Sequence, residues 1–240
     1  MASFHFEIKS GRKGSAAEHA AYIVRKGYYE RRDDLVFSEH GNLPAWADDD
    51  PARLWKAADK YERSNGSAYR EMIIALPGEL SPQQQLPLID HLVSELAGPK
   101  AYQYASHAPE SSLEGEINSH LHLMISDRMP DGVDRPADRM FSRYNAANPL
   151  EGGRRKDSGG RTRMQVRDEL IAKRKLVAEI LNEHLAIHGH ADRVDHRTLK
   201  AQGIPRNAER HLGQAKVRVM STEERDEYVA SRNKARGNPN

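Results

Sequence analysis

In His120-Leu121-His122-Leu123-Met124-Ile125 imidazole and leucine alternate with a period of two. On an extended strand that period has a spatial meaning: both imidazoles leave one face while Leu121 and Leu123 enter the other. The pair alone is a weak sign of metal binding, because buried histidines are often only hydrogen-bonded. His107 changes this. It ends an earlier apolar stretch, Tyr102 to Ser106, and the polar segment 108–118 lies between the two. If the strands are neighbours, His107 comes beside the pair and completes a three-histidine face with open coordination positions.

The chain has 240 residues and no cysteine, so a metal would have to be held by nitrogen and oxygen ligands. Three neutral imidazoles suit manganese, cobalt, nickel or zinc better than magnesium. Glu71 lies mid-strand beside Met72 and Ile73, an unusual place for a carboxylate without a partner. It reads as an edge-strand surface glutamate or a salt bridge to Arg70 or Arg128, as an acceptor for a ligand histidine, or as a proton acceptor for a tyrosine. Tyr22, Tyr28 and Tyr29 are candidate nucleophiles near the N-terminus, and spacing does not choose among them.

The remaining segments suggest an α+β chain. Phe4 to Lys9 alternates as a strand and runs into the basic loop Ser10 to Gly14. Ser15 and Glu18 have the spacing of a capping box opening a short alanine-rich helix that carries Tyr22. Residues 40–51 have linker composition, and a helix is expected from Ala52 to about Ser64. Tyr69 to Leu76 reads as a strand closed by Pro77-Gly78, and Ser81-Pro82 opens a helix to about Ala97. Residues 119–126 supply a further strand. No glycine-rich phosphate turn links a strand to a helix, so an antiparallel sheet is expected rather than a nucleotide-binding parallel one.

Residues 1–150 carry 17 basic and 22 acidic side chains, whereas residues 151–240 carry 20 basic and 13 acidic. A polyanion would find its footing in the C-terminal part, above all on a mobile loop, 151–163, with Arg154, Arg155, Lys156, Arg161 and Arg163. A long helix, 164–186, follows, with Arg167, Lys173, Arg174 and Lys175 as further polyanion-tracking candidates or a solvated face. His184, His188 and His190 lack the zinc-protease glutamate and read as structural, while His196 is structural or a contact to that polyanion. Residues 1–205 are expected to form one domain and 206–240 a solvated tail. No stretch has the 18 or more apolar residues of a membrane span, and the N-terminus lacks a signal-peptide layout, so a soluble cytoplasmic protein without membrane insertion is expected.

Taken together, several stretches resemble the MobA/MobL (MobQ-class) plasmid mobilisation relaxases of the HUH endonuclease superfamily. They are His19 to Gly27, Tyr61 to Gly66, Arg70 to Leu80, His107 with Asn118 to Ser126, Asp131 to Pro136, Phe141 to Asn145 and Asp195 to Ile204. The resemblance implies an HUH-type relaxase fold, with about five antiparallel strands flanked by helices and a helical basic C-terminal extension. It implies a bacterial, plasmid-associated enzyme that nicks and rejoins single-stranded or melted origin-of-transfer DNA, leaving a 5′-phosphotyrosine and a free 3′ hydroxyl. Tyr22 matches the nucleophile, Glu71 an active-site acid, and His107, His120 and His122 the ligands of a divalent ion, Mn2+ favoured and Mg2+ possible. Accessory mobilisation proteins and a conjugative secretion apparatus are the implied partners, and the primase or helicase extensions of longer relatives are expected to be absent. Asn118-Ser119-His120 stands where the family often has Asn-Pro-His, and the loop from Pro109 to Ile117 carries Glu110, Glu114 and Glu116. The competing readings are a rolling-circle replication initiator, whose tyrosine usually follows the metal strand, and a non-catalytic DNA-binding autorepressor.

Overall fold

The computed structural model describes residues 4–110, 117–205, 212 and 214–236; most of the acidic loop 109–117 lies outside them. In chain order the elements are β1 (Phe6–Arg12), α1 (Ala16–Ile23), β2 (Leu35–Gly41), α2 (Pro51–Tyr61), β3 (Ser67–Ala75) and α3 (Pro82–Ala97). They continue with β4 (Tyr102–His107), β5 (His120–Ile125), α4 (Ala137–Met140), α5 (Arg163–Ile187), α6 (Gln214–Val219) and α7 (Thr222–Arg236). The five strands form one sheet in the order β1-β3-β5-β4-β2, with every neighbouring pair antiparallel.

Alternation along the strands gives the sheet two different faces. Met72 and Ile74 of β3, Tyr104 of β4, and Leu121, Leu123 and Ile125 of β5 point to one side. There they pack with Leu88, Ile89 and Leu92 of α3 and Val177, Ile180, Leu181 and Leu185 of α5. Both helices begin with reciprocal caps, Ser81 with Gln84 and Thr162 with Gln165. On the opposite face Ala105 and Met124 pack with α1 and α2. Those helices meet through Ala16, Ala20, Ala57 and Ala58, small side chains that allow the helix axes to approach. Close packing there holds α1 against the polar part of the sheet.

β2 was not expected from the sequence. Its seven residues show no clean alternation of burial, and as an edge strand it owes its place to pairing with β4, with a register irregularity between Leu35 and Phe37. The segment expected to be a solvated tail carries α6 and α7, the latter largely exposed where it is described. Among the described residues, no helix is long and apolar enough to cross a membrane.

The start of α1 also differs from the expected capping box. Ser15 makes no side-chain cap; its hydroxyl donates to the Arg12 carbonyl at 2.7 Å, and Glu18 accepts from the Tyr29 hydroxyl at 3.1 Å. The cap comes from α2 instead. The Asp59 carboxylate accepts from the backbone N–H groups of Gly14, Ala16 and Ala17 at 2.7, 2.9 and 2.8 Å. A carboxylate at a helix N-terminus satisfies orphan donors and meets the positive end of the helix dipole. Asp59→Ala is therefore expected to cost about 1–2 kcal/mol of stability, and Ser15→Ala less than about 0.5 kcal/mol. Urea unfolding of both variants checks this; equal costs would refute the cross-helix cap.

Candidate metal centre and the tyrosine beside it

His107 lies directly opposite His120 across β4 and β5, and His122 lies opposite Ala105, so the three imidazoles share the face covered by α1. One nitrogen from each lies within 4.8 Å of one from each of the others. The ring centroids are 4.9–5.4 Å apart. Two of the rings are oriented through their far nitrogens. His120 Nδ1 lies 2.7 Å from the Asn118 carbonyl, and His122 Nδ1 lies 2.7 Å from Glu71 Oε1. With protons on both Nδ1 atoms, each Nε2 keeps its lone pair, the arrangement second-sphere acceptors impose on ligand histidines. His107 is held by the Ile23 carbonyl, 2.6 Å from Nε2, and by Arg25 Nη2, 3.2 Å from Nδ1. Joining a metal requires it to give up one of these contacts. The donor set thus fits a divalent cation with imidazole ligands.

Burial favours the neutral form of His107 and His120. It pushes the imidazole of His107 down to about 4, helped by the Arg25 charge, and also lowers His120. Glu71, only 3% exposed, behaves differently. Burial alone would raise its carboxyl, but bonds from His122 and His19, both 2.7 Å from Oε1, hold it down to about 2.

Tyr22 is connected to the triad at two points. His19, one turn earlier on α1, stacks between Tyr22 at 5.9 Å and Tyr69 at 5.2 Å while holding Glu71. Gly11 makes room for this stack, since a Cβ there would strike the Tyr69 ring at 1.8 Å. The second connection is Arg25, buried and in the left-handed backbone region at φ 55°. Its Nε and Nη2 donate to the two Asp34 oxygens at 2.7 and 2.8 Å, its Nη1 donates to the Tyr22 carbonyl at 2.8 Å, and its Nη2 faces His107. Its guanidinium lies 4.7 Å from the Tyr22 ring centroid, and that of Arg32 lies 5.5 Å away.

The family model for MobA/MobL matches residues 13–222. The chain belongs to that family. It is 44% identical over 209 residues to the 43 kDa relaxation protein of Salmonella typhimurium, covering 86% of this chain and 56% of that one. To mobilization protein A of Escherichia coli it is 40% identical over 219 residues, covering 89% of this chain and 30% of that one. The chain thus spans about half the length, or less, of these two relatives. The solved structure presented as "Molecular Basis of Vancomycin Resistance Transfer in Staphylococcus aureus" superposes with a TM-score of 0.60 at 23% identity, over 82% of this chain and all of that one. The two share the α+β fold of a five-stranded antiparallel sheet flanked by helices.

The structure brings Tyr22, Glu71, His107, His120 and His122 together, whereas Tyr28 is 93% exposed and Tyr29 packs edge-on against Tyr22 at 5.1 Å. Arg70 and Arg128 face Asp127 and Glu62, so Glu71 pairs with neither, and it is buried on β3, an inner strand, rather than exposed on an edge. Among the basic-loop residues, Arg161 binds Asp157 and Glu169, Lys156 donates to the Ser67 carbonyl at 2.8 Å, and Arg154 is partly buried near Asp131. Arg155 and Arg163 are exposed and have no ion pair among the described residues. His19 and Arg25 lay inside a family-like stretch, yet neither was assigned a role from sequence. The i, i+3 spacing of His19 from Tyr22 on a helix was the available signal.

Both His107 and Glu71 have folded values below their unfolded ones, so each adds stability that is complete above the unfolded value and lost as pH falls through the folded one. The windows run from 6.5 to about 4 for His107 and from 4.5 to about 2 for Glu71. Each is worth at most roughly 3 kcal/mol. In EDTA the protein is expected to lose stability steadily below about pH 6.5, and His107→Gln to flatten the upper part of that slope. Urea midpoints measured across pH test this, and an unchanged slope in the variant would count against a neutral buried His107.

Proposed function

We propose that the protein is a metal-dependent DNA-nicking transesterase, a relaxase, in which Tyr22 cleaves one strand at an origin of transfer and stays joined to its 5′ phosphate. The observation that carries this reading is the double connection between the tyrosine's helix and the histidine triad, through His19 and Glu71 to His122 and through Arg25 to His107. Nucleophile and ligands held in one frame suit in-line attack, because orientation removes much of the entropic cost of bringing the reacting groups together. The names of the two relatives, a relaxation protein and a mobilization protein, support the same reading.

In the step proposed, a bond forms between the Tyr22 oxygen and phosphorus while the bond from phosphorus to the 3′ oxygen breaks. The phenol gives up its proton and the 3′ oxygen ends as a hydroxyl. No ATP is needed, and the free 3′ hydroxyl can reverse the exchange, as strand rejoining after transfer requires. His107, His120 and His122 would hold a divalent cation, which would supply Lewis-acid stabilisation of charge on the phosphoryl oxygens, and imidazole ligands favour Mn2+ over Mg2+. Glu71 acts through other residues, fixing the His122 tautomer and keeping His19 against Tyr22. Arg32 brings positive charge to the tyrosine, where the scissile phosphate has to arrive, while Arg25, paired with Asp34, ties the end of α1 to His107. The substrate is single-stranded or melted origin DNA. Accessory mobilisation proteins and a conjugative secretion apparatus would complete the transfer.

Incubation with labelled single-stranded origin oligonucleotides and Mn2+ is expected to give a covalent adduct mapping to the Tyr22 peptide. EDTA should abolish the adduct, Mn2+ should restore it better than Mg2+, and Tyr22→Phe should lose it at least about a thousandfold. An adduct retained in Tyr22→Phe would move the nucleophile elsewhere. Nicking that EDTA leaves untouched would remove the metal. Glu71→Gln is expected to weaken Mn2+ binding about 10- to 100-fold by calorimetric titration, and unchanged affinity would refute its role behind His122.

A further inference from the structure

We infer that a basic cleft at the far end of the sheet from the histidine triad is a second, sequence-independent site for single-stranded DNA. It rests on the nicking reading only for the identity of the substrate. Two of the family-like stretches, Tyr61 to Gly66 and Phe141 to Asn145, carry no assigned role, and they converge there with the basic loop. The cleft has a volume of about 350 Å3, room for part of a nucleotide chain, and its lining includes Arg63, Arg143, Tyr144, Arg155, Arg128 and Lys156.

The charge of the cleft is unbalanced. Arg128, buried beneath it, forks onto Glu62 at 2.8–3.1 Å, and Lys156 reaches the same carboxylate at 3.2 Å. Arg63, Arg143 and Arg155 are exposed at the rim and have no ion pair among the described residues. Glu62 thus engages Arg128 and Lys156, and no carboxylate engages the three rim arginines among the described residues. Planar guanidinium forks of this kind match phosphate oxygens in a way that lysine ammonium groups do not.

The rim is also built rather than loosely draped. Arg128 donates to the carbonyls of Phe141, Ser142 and Arg154 at 2.6, 2.9 and 2.6 Å, joining the segments that carry Arg143, Tyr144 and Arg155. A Cβ on Gly152 would strike the Asn145 nitrogen at 2.4 Å, and one on Gly153 the Ser142 carbonyl oxygen at 2.2 Å, so these backbones are in direct contact. Arg135, itself buried, holds the Gly152 and Pro149 carbonyls at 2.9 and 2.8 Å.

Tyr144 decides the class of ligand. The residue is 37% exposed and lines the cleft with the arginines, so its ring offers a stacking surface next to guanidinium forks. A base can use that surface only when its face is open, which favours a single strand over a duplex. Lys156 donates to the carbonyl of Ser67, the first residue of β3, whereas His120 pairs with Ala75, the last. Eight residues of strand separate the two ends, about 26 Å. One strand of seven or eight stacked nucleotides, at about 3.4 Å each, would span that distance.

Fluorescence anisotropy with a labelled oligothymidylate of about 30 nucleotides, in EDTA, tests the site without chemistry. The variant carrying Arg63→Ser, Arg143→Ser and Arg155→Ser together, shown to be folded by its unfolding transition, is expected to bind at least about tenfold more weakly. The slope of its log affinity against log salt should be shallower by about two. Tyr144→Ala should weaken binding about fivefold or more, and Tyr144→Phe should restore it. Unchanged affinity and slope in the folded triple variant, or unchanged affinity in Tyr144→Ala, would overturn the site. Weakening seen only with a duplex of the same length would overturn the single-strand assignment. Adduct formation at Tyr22 is scored in a separate assay, so failure of the cleft and failure of the nicking reading are distinguishable.

Discussion

One carboxylate oxygen holds the two halves of the candidate site together. Glu71 Oε1 accepts from His19 on α1 and from His122 on β5, both at 2.7 Å, in a place where burial strongly disfavours charge. Without those two donors the ionised group would be untenable there, and without the carboxylate both imidazoles would lose their orientation. The dependence is mutual. It explains how a polar strand face can be as fixed as an apolar one: the tyrosine's helix cannot shift without breaking a charge-assisted bond inside a closed layer.

That layer is in turn stabilised from behind. The apolar face of the same strands, with Leu121, Leu123, Met72 and Ile74, is sealed by α3 and α5, so strand register is set by burial on the side away from the chemistry. A slip of one residue would turn His120 and His122 into that core and expose the leucines, which makes the histidine face a by-product of leucine packing. Arg25 adds a constraint from the other side. A non-glycine residue at φ 55° is strained, and its bonds to Asp34, Tyr22 and His107 offset that strain at the end of α1.

Much of this was legible in the sequence where a local period carried it. The histidine–leucine alternation marked β5, the reach of His107 depended only on its strand being a neighbour, and α3 announced itself through Ser81-Pro82. What remained hidden depends on long-range partners. Asp59 caps α1 from more than forty residues away, so the local Ser15 and Glu18 pattern pointed to a box that does not form. Glu71 was recognisable as odd, yet its His19 partner could not be found before the β1, β3 and α1 packing was known. β2 has a pattern too mixed to read because it is an edge, where only one ladder and one layer select its residues.

Charge shows the same limit in a different way. Counting side chains assigns the positive excess to residues 151–240, but a cation attracts a polyanion only if it is not already engaged within the fold. Arg161 and Lys173 neutralise Glu169, Arg174 caps the Phe6 and His196 carbonyls, and Lys156 is drawn down to Glu62 and Ser67. In the cleft, the arginines without an ion pair among the described residues come from both halves of the chain, Arg63 and Arg143 from the nominally acidic part and Arg155 from the basic part. Folding thus moves the electrostatic footing from a stretch of sequence to a seam between segments. A buried arginine, Arg128, organises that seam without presenting its own charge.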